Sequence, residues 1–109
     1  MGVDIDPVAV KVAKENAELN NVSDKAKYIL GNLDEEITDC YDIVVANIVA
    51  DAIIFLADSA KKHMKKDGYF LCSGIIDIRA EEVEKALCEK GYTIIEKMTH
   101  DNWVAFLAK

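Results

Sequence analysis

Apolar positions along the chain follow two rhythms, short unbroken runs and stripes at helical spacing, and the two alternate. Residues 43–46, Ile43-Val44-Val45-Ala46, form an unbroken run within residues 41–51. A run without alternation suits a strand buried on both faces, as in a parallel sheet covered by helices, so it is expected to be the central strand. It ends on a polar residue, Asn47, after which Ile53, Leu56, Ala57, Ala60 and Met64 fall on one helical face. Lys61, Lys62, Lys65 and Lys66 suit the negative carboxyl end of that helix, and Asp67-Gly68 is expected to close it.

The same alternation runs through the rest of the chain. Gly2-Val3-Asp4-Ile5 reads as the end of a strand, and Asp6-Pro7 as a helix start, with Asp6 as cap and Pro7 at the first helical position. Val8, Val12 and Leu19, with Ala9, Ala13 and Ala17 beside them, make an apolar stripe up to the stop at Asn20-Asn21. Residues 26–30 give a short strand ending at Gly31-Asn32-Leu33, and the acidic Asp34-Glu35-Glu36 that follows is loop-like. Residues 69–73 read as a fourth strand, and Asp77 is placed to cap a helix carrying Ile78, Val83, Ala86 and Leu87, ended by Lys90-Gly91. Residues 92–98 and 103–108 are strand-like and joined by Thr99-His100-Asp101-Asn102, which predicts a hairpin with Tyr92 and Trp103 on its buried face. Strand-helix alternation closed by an antiparallel hairpin predicts an α/β fold with a mostly parallel sheet and one reversed strand at or near its end.

Composition narrows the class. A chain of 109 residues without a Pro/Gly-rich linker is one domain at most, and 51% hydrophobic with 30% charged residues is ordinary for a globular protein. No apolar run approaches the roughly 18 residues of a membrane span, and the amino terminus has no basic-then-apolar leader, so a cytoplasmic location is expected. Cys40, Cys72 and Cys88 are odd in number and scattered, which argues for reduced thiols and against a disulfide framework or a Cys-x-x-Cys metal site. A net charge of −7 argues against direct binding to nucleic acid or an anionic membrane and weakly favours a basic partner.

Three polar residues stand at predicted strand ends, where open α/β sheets place ligands: Asp4, Asn32 and Asn47. Asp4 suits a ribose, since a carboxylate accepts hydrogen bonds from two neighbouring hydroxyls, and it equally suits a turn. Asn32 has the amide to pair with a base, yet Gly-Asn is ordinary turn sequence. Asn47 reads either as a working residue or as the cap of the helix after it. His63 and His100 have no Cys, Asp or Glu at metal-ligand spacing, so no metal is expected. Ser73-Gly74 lacks the Gly-x that precedes a nucleophile elbow, which leaves covalent catalysis without support. The acidic pairs Glu81-Glu82 and Asp34-Glu35-Glu36 read as solvated surface.

Taken in order, Gly2-Val3-Asp4-Ile5-Asp6-Pro7, Glu15-Asn16-Ala17, Gly31-Asn32-Leu33, Asp42-Ile43-Val44-Val45-Ala46-Asn47-Ile48-Val49-Ala50, Leu71-Cys72-Ser73-Gly74-Ile75 and Trp103-Val104-Ala105 resemble the class I S-adenosylmethionine-dependent methyltransferases. Among these the chain is most similar to the ribosomal protein L-eleven methyltransferases, over essentially its whole length. The resemblance implies a Rossmann-like sheet, S-adenosylmethionine as cofactor, and amines of a ribosomal protein as the methyl acceptor. It implies cofactor contacts at Asp4 and Ile5 on the ribose side, Asn32 and Leu33 on the adenine side, and Asn47 beside the methyl-transfer centre as the catalytic residue. Members of that family carry, ahead of this stretch, a first strand, a glycine-rich loop that receives the methionine part of the cofactor, and a substrate-recognition domain. Residues 1–109 are therefore expected to be part of a methyltransferase catalytic domain that, alone, binds cofactor weakly or not at all and is inactive. Loss of a middle strand would leave two unpaired edges, from which a homo-oligomer or a disordered amino terminus is expected. A dehydrogenase would use Asp4 for an NAD ribose but leaves Asn47-Ile48-Val49-Ala50 unexplained, a receiver module needs an Asp where Asn47 stands, and a non-catalytic remnant is the third alternative.

Overall fold

A computed structural model describes every residue except Glu36. Glu36, expected in the acidic loop, lies outside the described residues. The chain divides into two compact units, Met1–Ile37 and Thr38–Lys109.

In the first unit β1 (Gly2–Asp4) leads into α1 (Pro7–Leu19) and returns as β2 (Tyr28–Leu30), parallel to β1 with Asp4 opposite Leu30. Asp6 caps α1 as expected, its side chain accepting the Val8 N–H at 2.9 Å, and Pro7 occupies the first turn, where no backbone donor is needed. The helix stops at Asn20, whose N–H and side-chain amide both bond the Asn16 carbonyl, and Asn21 takes the left-handed conformation at φ 57°. The buried face differs from the predicted stripe. Val10 and Ala17 are buried with Ala13 half-buried between them, whereas Val8, Val12 and Leu19 are exposed. A helix laid over a two-stranded ribbon covers only the narrow i, i+3, i+7 strip, so the outlying apolar positions stay in water. A hollow of about 210 Å³ remains beneath it, lined by Val3, Ala9, Val10, Ala13 and Tyr28 among others.

The second unit is a four-stranded sheet in the order β3-β4-β6-β5, made from β3 (Tyr41–Asn47), β4 (Met64–Ile76), β5 (Ile94–His100) and β6 (Trp103–Ala108). Helix α2 (Ala50–Ala60) links β3 to its parallel neighbour β4, and α3 (Ala80–Glu89) links β4 to β5. Strand β6 runs antiparallel to both β4 and β5, which is the predicted reversed strand. The hairpin is present with a two-residue turn, Asp101 at φ 52° and Asn102.

Buried and half-exposed residues alternate along β4 and β6, so one sheet face is fully covered. Phe70, Cys72 and Ile75 of β4, Phe106 of β6, Ile53 of α2 and Val83 and Leu87 of α3 are completely buried there. Tyr92 joins them ahead of β5, its ring 5.4 Å from that of Phe70 and its hydroxyl donating to the Ala57 carbonyl at 2.8 Å. Burial pushes the Tyr92 hydroxyl up to about 12 and the Cys72 thiol up to about 11, so both stay neutral.

Four expectations are corrected. Strand β3 is the edge of this unit's sheet, with Ile43 and Val45 57% and 63% exposed; the apolar run reports two hydrophobic faces, but only the Val44 and Ala46 side meets a covering element. Second, α2 ends at Ala60, residues Lys61–His63 tighten into a 3-10 turn, and Met64 already belongs to β4. Asp67 at φ 66° and Gly68 form an irregular stretch where β4 slips register against β3. The exposed lysines there satisfy their charges equally well on a helix or a strand, so their pattern does not mark the boundary. Third, Asp77 does not cap α3: it lies with the 82% exposed Ile78 in a 3-10 turn, so that Arg79 takes the cap position of α3 and no side chain bonds there, while the Asp77 N–H donates to the Asn102 carbonyl at 2.9 Å. Fourth, Trp103 is 56% exposed rather than buried, since it sits at the turn end of the hairpin, paired with His100 and opposite Ile76, the last residue of β4. The Lys90-Gly91 stop holds, with Gly91 at φ 90°.

Replacing Phe106 by Ala is expected to lower unfolding free energy by about 3–5 kcal/mol through cavity formation. Replacing the exposed Phe55 the same way should cost no more than about 0.5 kcal/mol. Denaturant titration of the two variants checks this, and equal losses would contradict the assigned core.

Candidate functional site

In the first unit the polar site residues gather at the carboxyl end of the parallel pair. Asp4 closes β1, and one of its carboxylate oxygens accepts the Asp6 N–H at 2.9 Å, which curls the chain toward the α1 cap. Its backbone carbonyl accepts the Gly31 N–H at 3.0 Å, drawing Gly31-Asn32-Leu33 to the same sheet end. Leu33 is held in the left-handed conformation at φ 53°, uncommon for a side chain of its size. The Asn32 carbonyl accepts the Glu35 N–H at 3.3 Å, which fixes this turn. Asp4, Ile5 and Asn32 are exposed and Leu33 is half-buried. A carboxylate offers about four acceptor positions. The Asp6 N–H takes one, so Asp4 works as a turn residue and keeps acceptor positions on an exposed carboxylate. Ile5, next after Asp4, is 69% exposed, and Leu33 follows Asn32 in the turn, so apolar side chains neighbour both polar ones in sequence.

In the second unit Asn47 ends β3 opposite Ser73, and the next residue, Ile48, donates its N–H to the Ser73 carbonyl at 3.2 Å. The alternative reading of Asn47 as a helix cap fails: Val49 is the cap residue of α2 and no side chain bonds there. The carboxamide instead lies against Gly74, where a Cβ would stand only 2.6 Å from Asn47 Oδ1. Gly74 has φ 81°. Exposed apolar residues stand near this sheet end, with Val49 after β3, Ile76 ending β4, Ile78 after it, and Trp103 opposite Ile76.

Two participants were not picked out from the sequence. Gly74 stands in a dipeptide that lacks a nucleophile-elbow signature and in a segment that carries the family resemblance, but neither assigns it a role of its own, because a glycine's part in shaping a distant side chain leaves no local pattern. Arg79 is the other. Its guanidinium donates to Asp51 in the first turn of α2 at 2.6 Å and to both oxygens of Glu82 in α3 at 2.9 and 2.7 Å, tying the segment after β4 to the segment after β3. Hydrogen bonding to Arg79, reinforced by its charge, holds the Asp51 carboxyl below its ordinary value of 3.8 and lowers that of Glu82, while both acids raise the guanidinium. Among the described residues no group of three or more His, Cys, Asp or Glu side chains is placed to hold a metal ion. Nor is any helix there long and apolar enough to cross a membrane.

Parallel strands with ligand-facing polar residues at their carboxyl ends, and a reversed strand inserted beside the last of them, define the Rossmann-like fold of the class I methyltransferases. The fibrillarin of Aeropyrum pernix, solved with natively bound S-adenosyl-L-methionine, matches 99% of this chain and 54% of its own with a TM-score of 0.75, and at 16% identity that likeness concerns the fold alone. The family model described as Ribosomal protein L11 methyltransferase (PrmA) matches residues 1–109, and the chain belongs to this family. The ribosomal protein methylase of that description from Lactobacillus delbrueckii subsp. bulgaricus has a TM-score of 0.92 at 30% identity, covering 98% of this chain and 55% of its own. Relatives with the family's name include one from Desulfitobacterium hafniense, 46% identical over 98% of this chain and 34% of its own length. Another, from Bacillus licheniformis, is 43% identical over 99% of this chain and 35% of its own. The chain thus spans about a third of the length of the curated relatives it matches.

The Arg79 cluster makes a pH-dependent contribution of known sign. Because the folded-state carboxyls of Asp51 and Glu82 lie below their ordinary values, their contribution is present above the ordinary carboxylate range and is lost as pH falls through the lowered values. A carbon-detected NMR titration of Asp51 should therefore give a midpoint below 3.8 that returns toward it in Arg79→Gln. A midpoint unmoved by the substitution would remove Arg79 as the cause.

Proposed function

We propose that the whole protein transfers a methyl group from S-adenosylmethionine to amines of a ribosomal protein, with this chain supplying the nucleoside-binding strand ends and the residue beside the transfer centre. The observation that carries the proposal is Asn47: it ends a parallel strand, its side chain is not consumed by capping, and the chain belongs to a methyltransferase family. When bound, the cofactor supplies an electrophilic methyl group on a sulfonium centre. Asp4 accepts hydrogen bonds from the ribose hydroxyls, with Ile5 packed alongside, and Asn32 and Leu33 receive the adenine. Asn47 accepts an N–H of the incoming amine through Oδ1 and so points the nitrogen lone pair at the methyl carbon.

A lysine amine with an ordinary pKa of about 10.4 attacks only when neutral. Val49, Ile76 and Ile78 give this sheet end an apolar border, and an apolar surrounding lowers an ammonium pKa. Catalysis is then alignment of two reactants in a site with little water, with no metal and no covalent intermediate on the protein. The same exposed apolar residues suit contact with a protein substrate, and the acidic charge of −7 suits a basic one. We place this work in the cytoplasm, where the ribosomal substrate is made; fractionation with recovery of the protein in a membrane or secreted fraction would contradict that placement.

Steady-state kinetics on the whole protein distinguish the two kinds of residue. Asn47→Ala should lower turnover far more than cofactor affinity, whereas Asp4→Ala should weaken cofactor binding first. A turnover number for Asn47→Ala within about threefold of wild type, under 1 kcal/mol of barrier, would end the positioning role.

A further inference from the structure

We propose that Gly74 is a positioning residue for Asn47: by having no side chain it leaves the space in which the Asn47 carboxamide is held against the β4 backbone. The inference rests on the reading of Asn47 given above and extends it to a residue on the neighbouring strand. A Cβ on Gly74 would lie 2.6 Å from Asn47 Oδ1, 3.0 Å from the Ile48 carbonyl oxygen and 3.3 Å from the Ile48 nitrogen. The nearest of these is well inside van der Waals contact, and the other two belong to the backbone that leads from Asn47 into α2. That backbone is itself held to β4 by the Ile48 N–H bond to the Ser73 carbonyl, so it has little room to withdraw. The side chain of Asn47 is the group that must move, and it moves away from β4.

The local path of β4 serves the same end. Its pairing with β3 continues through Ala46 opposite Cys72 and Asn47 opposite Ser73, while its pairing with β6 slips between Cys72 and Ile75. Ser73 therefore ends the pairing with β3 at the point where β4 breaks step with β6, and Gly74 is the next residue, within that break. Such a bulge re-aims the chain at a strand end, and Gly74 at φ 81° is the residue that permits it.

Gly91 provides the contrast. It has nearly the same backbone angle, φ 90°, but a Cβ there would meet only Lys61 Nζ at 2.7 Å, the far end of a flexible side chain that lies over the Tyr92 ring. Substitution at Gly91 thus imposes the conformational penalty of a side chain at positive φ without touching Asn47. Substitution at Gly74 imposes the same penalty and displaces the carboxamide as well.

The test is a double-mutant cycle on the whole protein, with Gly74→Ala, Asn47→Ala, the pair together, and Gly91→Ala as control, each followed by kcat, by KM for S-adenosylmethionine and by thermal unfolding. Gly74→Ala should lower kcat by about 10- to 100-fold, the loss expected for a misplacement of about 1 Å, with little change in KM for the cofactor. Gly91→Ala should lower Tm as well, by less than Gly74→Ala does, and leave kcat near wild type. In the Asn47→Ala background Gly74→Ala should lower kcat no further and should lower Tm by less than it does alone, because the methyl group enters the vacated space. A kcat for Gly74→Ala no lower than that of Gly91→Ala would overturn the proposal. Additive losses in both kcat and Tm would also overturn it. If Asn47→Ala leaves turnover intact, the catalytic reading of Asn47 fails by itself, and non-additive Tm losses then still uphold the contact by which Gly74 places that side chain, while additive ones reject it.

Discussion

The second unit depends on β4 being paired on both sides while its inward face is filled. Phe70, Cys72 and Ile75 project into a space closed by Phe106, Ile53, Val83 and Leu87, all without exposure. Each large apolar side chain buried in this way contributes on the order of 1.5–3 kcal/mol. Because successive strand residues alternate faces, a slip of one residue would turn this whole set outward, so the core fixes the register of β4. Register in turn fixes the site: it sets Asn47 opposite Ser73 and brings Gly74 beneath the carboxamide. The position of the Asn47 carboxamide is therefore a consequence of packing on the far side of the strand, and the Arg79 bridge to Asp51 and Glu82 adds a second tie where the connecting segments leave the sheet.

Much of this was legible in the order of residues, wherever a local physical signal exists. Asp6-Pro7 announces a helix start because cap and fixed φ are properties of those two residues alone, and α1 begins there. The hairpin and the reversed strand follow from two apolar segments separated by a short polar turn. Asn47 at the carboxyl end of β3 and Asp4 at the end of β1 were located by where apolar runs stop. Other features have no local signal. Lysines 61, 62, 65 and 66 are at home on a helix end or an exposed strand, so the early end of α2 and the early start of β4 were hidden. The apolar run of β3 says that two faces tolerate burial, not that two faces are covered. Val8 and Leu19 are as hydrophobic as Val10, and only the width of the ribbon beneath α1 decides which of them is buried. The pairing of Arg79 with Asp51, 28 positions apart, and of Gly74 with Asn47, 27 apart, exists only after folding.

The two units share a logic that the functional reading uses. In each, a parallel strand ends and the chain turns away, leaving polar groups at the carboxyl end with hydrogen-bonding capacity to spare. Asp4 uses one acceptor position to shape its own turn and keeps the others exposed. Asn47 is excused from capping because Val49 takes that position without a side-chain bond. Residues that are structurally sufficient with only part of their hydrogen-bonding capacity keep donors or acceptors for a ligand, which is why the proposed function is built on them.

The central claim is that these strand ends hold the nucleoside. The most direct test is a crystal structure of the whole protein with S-adenosylhomocysteine, the demethylated form of the cofactor. The account predicts that the Asp4 carboxylate keeps the Asp6 N–H on one oxygen and accepts both ribose hydroxyls with its remaining positions, while the adenine lies along Asn32 and Leu33. A ligand bound elsewhere, with Asp4 engaged only by its own turn, would contradict it.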